Sequence, residues 1–192
     1  MARRSQPAPP NPPPIIALTG FMAVGKSTVG RILGSLAHWN FLDLDYEIEC
    51  RSHLHIHEIF AMQGEQRFRE IEADALRRIL GHASSTTVIA LGGGTFVQPD
   101  NADLLTRYGA HVVFLELEIG ELIERCRCAG ERSPQNPRPL ADDAQAFCSL
   151  YERRLPSYRK AELTVHTRGK SAEQVAREIA DALHLSVDDA DR

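Results

Sequence analysis

The 192-residue chain has no apolar stretch long enough to cross a membrane as a helix, and no apolar signal-peptide core follows its first methionine. No membrane partner is expected, and the expected compartment is the cytoplasm. Positive charge is in short supply: 22 Lys and Arg against 26 Asp and Glu leave a net charge of −4. That argues against a nucleic-acid partner, because a phosphate backbone demands a basic face. Cysteine is sparse too. Cys50, Cys126, Cys128 and Cys148 form no C-x-x-C pair, and Cys126-x-Cys128 is too tight for a zinc knuckle. Neither a zinc site nor a disulfide framework is expected. The remaining composition, 43% apolar and 25% charged, is that of an ordinary soluble domain.

Against these absences one motif is complete. Gly20-Phe21-Met22-Ala23-Val24-Gly25-Lys26-Ser27-Thr28 satisfies the phosphate-loop pattern G-x-x-x-x-G-K-[ST]. Ile15-Ile16-Ala17-Leu18 before it reads as a buried strand, and Val29, Ile32, Leu33 and Leu36 after it recur at helical spacing. Glycines let the loop's N–H groups wrap a phosphate, and the helix that follows adds its positive end. Lys26 is expected to reach the β- and γ-phosphates and Ser27 to offer its hydroxyl to Mg²⁺. Strands 86–91 and 111–115 do not end in a Walker-B aspartate, and no N-K-x-D guanine reader is present. Motor ATPases and GTPases are therefore disfavoured, and ATP is preferred to GTP.

Strand and helix patterns alternate along the chain. Strands are expected near 15–19, 40–43, 86–91, 111–115 and 163–166. Helices are expected after the loop, from about Tyr46, over Ile56–Gln63, Glu65–Leu80, Pro99–Tyr108, Ile119–Cys128, from Ala144 to about Leu155 before Pro156, and from an N-cap at Ser171 to Leu185. The implied fold is α/β: a five-stranded parallel sheet in a three-layer α/β/α sandwich. Residues 1–14 carry six prolines and read as a disordered leader, 15–185 as a single domain, 129–143 as a mobile lid and 186–192 as a frayed tail.

In such sheets the ligand crevice lies at the carboxyl ends of the strands. The phosphate loop, Asp43-x-Asp45 and Gly92-Gly93-Gly94 each follow a strand, so all three should meet at one mouth. Two carboxylates beside a γ-phosphate can hold Mg²⁺ and take the proton of an acceptor hydroxyl. Acidic residues at a helix N-terminus are also favoured for their own sake, and on spacing alone both readings stand. Consecutive glycines suit a close backbone approach. Arg69, Arg138, Arg153 and Arg154 suit capture of anions, or merely solubility. His53, His55 and His57 alternate without a completing carboxylate. If they lie on a turn and a helix, only His53 and His57 share a face, and no metal is assigned to them.

Taken together, GFMAVGKSTVGR, FLDLDYEIE, IFAMQGEQRFREIE, ALGGGTF, the RPL of Arg138–Leu140 and ERRLPSY, in this order, resemble the shikimate kinases over about Ile15 to Leu183. The resemblance implies a P-loop kinase fold with a mobile lid and transfer of the ATP γ-phosphate to the 3-hydroxyl of shikimate. It implies ATP contacts at Ala23, Val24, Gly25, Lys26, Ser27, Thr28 and Arg138, and a weaker contact to the nucleotide base at Lys170. Mg²⁺ falls to Ser27 and Asp43. Shikimate falls to Asp45 (also the base), Arg69, Gly93 and Arg154. Lys26, Asp45 and Arg138 carry the chemistry, and a monomer is implied. The sequence departs from that family at Ala23-Val24, where Gly-Ala is usual, and at His53, where glycine is common. It also has R-P-L-A in place of R-P-L-L, and a longer segment between Arg127 and Arg138.

Overall fold

The structure, a computed structural model, describes residues 15–83, 85–132 and 143–186, with side chains omitted over 129–132. The leader (1–14), residues 133–142 of the expected lid, Arg138 among them, and residues 187–192 of the tail lie outside the described residues.

Five parallel strands, β1 (Ile15–Thr19), β2 (Asn40–Asp43), β3 (Thr87–Ala90), β4 (His111–Glu116) and β5 (Leu163–His166), form one sheet in the order β2-β3-β1-β4-β5. The central strand is buried at all five residues, which is why it reads as a continuous apolar run and not as an alternation. Ile16 and Leu18 pack on one face with α1 (Lys26–Leu36), α6 (Ala144–Tyr158) and α7 (Ala172–Ala182). Ile15 and Ala17 pack on the other with α2 (Leu44–Ser52), α3 (Ile56–His82) and α4 (Pro99–Arg107). α5 (Ile119–Arg132) lies on the α1 side through Leu122 and Cys126. From β1 the chain runs first to β2 and β3, then crosses β1 to reach β4 and β5. β1 therefore sits at the switch point, where its carboxyl end is left open for a ligand.

Of the boundaries that differ from the sequence reading, three have a plain physical cause. α2 begins at Leu44, two residues early, because Asp43 caps it: Oδ1 accepts the N–H groups of Asp45 (3.1 Å) and Tyr46 (3.3 Å). α5 runs on to Arg132, so the first four residues of the expected lid are helical. α6 passes through Pro156 to Tyr158 without ending. Proline costs a helix its N–H, but here only the last turn remains, and the carbonyl of Glu152 it would have bonded is on the exposed side. The expected break between the two helices around Gly64 is present: α3 is bent there, at φ 79 and ψ 171.

Candidate active site

The phosphate loop is fixed by its ends. Gly20, at φ 143, lies so near β4 that an added Cβ would stand 2.6 Å from the carbonyl oxygen of Leu115. Gly25, at φ 104, is the N-cap of α1. Between them Val24 turns its side chain into the core, 2% exposed, and leaves only its backbone to the cavity side. Lys26 folds back on its loop, Nζ donating to the carbonyls of Gly20 (3.0 Å) and Phe21 (3.1 Å). Ser27 donates its hydroxyl to Asp43 Oδ2 at 2.5 Å. Asp43 thus caps α2 with one oxygen and meets the loop serine with the other.

A cavity of about 420 Å³ opens at the carboxyl edge of the sheet. Ala23, Gly25, Lys26, Ser27 and Thr28 line one side, and Asp43, Asp45, Leu91, Gly93 and Arg125 line others. The three features expected at one mouth do meet there. Burial pushes the Asp45 carboxyl up to about 6; Lys26 pulls it down, while Asp43, Glu72 and Glu49 add to the rise.

The glycine triplet is where Asp45, Arg69, Arg154 and Tyr158 meet. None of the three glycines has a positive φ, so the need is steric and not conformational. A Cβ on Gly92 would stand 2.6 Å from Asp45 Oδ1, and one on Gly94 would stand 2.7 Å from an Arg69 terminal nitrogen. Gly93 is looser, its nearest neighbours Arg154 and Met22 at 3.7 Å. The carbonyl of Gly93 accepts from Arg154 (3.2 Å) and from the Tyr158 hydroxyl (2.5 Å). The expected ligand approach is thus made at Gly92 and Gly94 by the protein's own side chains.

Arg69 is held by Glu72 (2.9 Å) and Glu65 (3.1 Å), and its Nε is buried with no hydrogen-bond partner among the described residues. Glu72, 1% exposed, also accepts from Thr95 Oγ1 at 2.7 Å. Arg154 rests over the Phe21 ring at 5.8 Å, while Arg153 points to solvent. Lys170 is elsewhere, paired with Glu178 on the rim of a second cavity of about 190 Å³ behind the loop. Arg125 lines both cavities. His53 closes α2 and His55 opens α3, so His53 and His57 do not share a helix face; it is the rings of His55 and His57 that stack, 5.7 Å apart.

Four side chains of this site were not singled out from the sequence: Glu72, Thr95, Arg125 and Tyr158. Two had a signal, since Glu72 follows Arg69 by three residues and Tyr158 follows Arg154 by four, spacings that share a helix face. Arg125 and Thr95 had none.

A phosphate loop on β1 of a parallel sheet, with carboxylates and arginines gathered across the cleft, defines a P-loop kinase for a small acceptor. The comparisons narrow the class. A shikimate kinase family profile matches residues 22–184. The shikimate kinase of Thermus thermophilus is 40% identical over 176 residues, covering 91% of this chain and 92% of that protein. The structure of the shikimate kinase from Acinetobacter baumannii in complex with shikimate superposes with a TM-score of 0.76 at 30% identity, covering 91% of this chain and 94% of the other. A gluconokinase from Sinorhizobium meliloti shares the fold at a TM-score of 0.58 but only 16% identity, over 91% of this chain and 97% of the other. The chain belongs to the shikimate kinase family.

Proposed function

We propose that this chain transfers the γ-phosphoryl group of ATP to the 3-hydroxyl of shikimate, giving shikimate 3-phosphate and ADP on the route to aromatic amino acids. The observation that carries the reading is the convergence of Asp45, Arg69 and Arg154 on the Gly92–Gly94 turn, across the cavity from Lys26. Arg69 and Arg154 suit a carboxylate, each offering several N–H donors in a fixed plane. Asp45 suits the hydroxyl. With its acidity shifted to about 6 it is largely ionised at neutral pH, yet basic enough to accept the hydroxyl proton as the oxygen attacks phosphorus. Gly93 offers backbone where a side chain would obstruct the ring. Holding both partners in line supplies most of the rate enhancement, because phosphoryl transfer needs positioning and charge neutralisation more than covalent help.

The loop holds the nucleotide through its N–H groups from Ala23 to Thr28, and Lys26 exchanges its loop carbonyls for phosphate oxygens. Ser27 and Asp43 fit a Mg²⁺ site: both are hard oxygen donors, already 2.5 Å apart. The ion, when bound, neutralises charge on the β- and γ-phosphates. The base is assigned to the second cavity, between Arg125 and Lys170. No described helix is long and apolar enough to cross a membrane, and we place the enzyme in the cytoplasm as a monomer without nucleic-acid partners.

The test is ADP release with Mg-ATP and each of shikimate, gluconate and no acceptor. Turnover that requires shikimate supports the reading; turnover that requires gluconate, or none with any acceptor, overturns it.

A further inference from the structure

Tyr158 is fully buried, its ring stacked on Phe114 of β4 at 5.3 Å between centroids. The stack fixes where the hydroxyl can be, and it is placed on one atom, the carbonyl oxygen of Gly93, at 2.5 Å. Arg154, one turn earlier on α6, reaches the same oxygen at 3.2 Å. Burial pushes the Tyr158 hydroxyl up to about 12, so it remains a donor at any pH the enzyme meets. The hydroxyl also meets the Arg154 side chain, so Tyr158 touches both members of the Gly93–Arg154 pair.

We propose that Tyr158 is a positioning residue of the acceptor site: it fastens the Gly93 carbonyl, fixing the Gly92–Gly94 turn, and so releases Arg154 to bind the carboxylate of the acceptor. The Gly93 carbonyl is half-buried on the cavity wall, where a fixed donor holds the turn in one shape. Without the tyrosine hydroxyl the remaining protein donor to this oxygen is Arg154, and an N–H group spent on Gly93 is withdrawn from the substrate. With it, Arg154 can turn to a carboxylate while the turn keeps its shape. The inference rests on the reading of Arg154 and Gly93 as acceptor-binding groups, and it adds a residue that touches no substrate.

The experiment is steady-state kinetics on the full chain and its Tyr158→Phe variant, varying shikimate and ATP separately. Thermal melts and a direct titration of shikimate without nucleotide accompany it. Phenylalanine keeps the stack on Phe114 and deletes only the hydroxyl. The expected result is a KM for shikimate raised about tenfold, the equivalent of one hydrogen bond. The KM for ATP should stay within about twofold, the melting temperature within a few degrees and the pH–rate profile unchanged in shape, these three marking loss of one local contact. Tyr151→Phe, which loses a long 3.4 Å bond to the Leu117 carbonyl, is the control and should leave both KM values in place. An unchanged KM for shikimate overturns the proposal. So does a parallel rise of both KM values with a falling melting temperature, which marks a purely structural tyrosine. Failure of the parent protein to turn over shikimate overturns the functional reading itself, and the Tyr158 role falls with it.

Discussion

Asp45 Oδ1 occupies the space beside Gly92 so closely that a Cβ there would stand 2.6 Å from it. The same Cβ would stand 2.9 Å from Thr95 Oγ1 and 3.1 Å from Glu72 Oε1. Gly92→Ala therefore displaces the proposed base and the group that orients Arg69 together. Melts and kinetics should show a lowered melting temperature and a loss of turnover of at least about a hundredfold, as expected when reacting groups are misplaced by an ångström. Gly93→Ala meets nothing nearer than 3.7 Å. It should melt like the parent and lose only its affinity for shikimate.

Asp45 has its acidity shifted from 3.8 to about 6. A folded-state value above the unfolded one means that the protonated form is the better tolerated. The contribution to stability is full below about pH 4 and is lost as pH rises through 6. Asp45→Asn, which cannot ionise, should leave stability near pH 4 unchanged and raise it at pH 8 by up to about 3 kcal/mol. Its turnover should fall at least about a hundredfold, the usual worth of a general base. Chemical denaturation at the two pH values reads the first effect. A variant less stable than the parent at pH 8 contradicts the account of why this carboxyl is shifted.

Glu72 is the buried anchor of Arg69, while Glu65 is an exposed second partner. Glu72→Ala removes the carboxylate and leaves a largely enclosed guanidinium short of its charge partner, at a cost of about 3–5 kcal/mol. Glu65→Ala should cost less than about 1 kcal/mol. Urea titrations of both variants measure the difference, and equal losses would refute the division of labour between them.

Two departures from the family pattern fall where the backbone is left-handed. Ala23 has φ 63 and His53 has φ 55. A Cβ is tolerated there at about 1–2 kcal/mol. His53→Gly relieves that strain at the end of α2 but gives the unfolded chain more freedom. The net expectation is a gain of about 0.5–1 kcal/mol, read as a raised urea midpoint with unchanged kinetics. A lowered midpoint would mean that the His53 ring contributes more than its backbone costs.

The phosphate loop, the alternation of strands and helices and the convergence on one mouth were legible because each depends on which residues follow each strand. Ile15–Thr19 is apolar because it is covered on both faces, and Lys26 follows a glycine that starts a helix. What the sequence could not carry was who fills the space beside each glycine. Gly92 and Gly94 were readable as close approaches, but that Asp45 and Arg69 make them depends on how α2 and α3 are packed. Tyr158 fell beyond the expected end of its helix, and its partner, Gly93, is 65 residues away in the chain. Pro156 misled for a simple reason: the rule that proline ends helices concerns interiors, and this one lies in the last exposed turn. Arg138 lies outside the described residues, so its place rests on the motif alone.

The central claim is that phosphate is transferred to one hydroxyl of shikimate, and the product shows it most directly. Phosphorus NMR with mass spectrometry, after incubation with Mg-ATP and shikimate, should find one new monoester on the 3-hydroxyl, formed mole for mole with ADP and absent with Asp45→Asn. ADP accompanied only by inorganic phosphate, or a monoester on another hydroxyl, would contradict the account of the site.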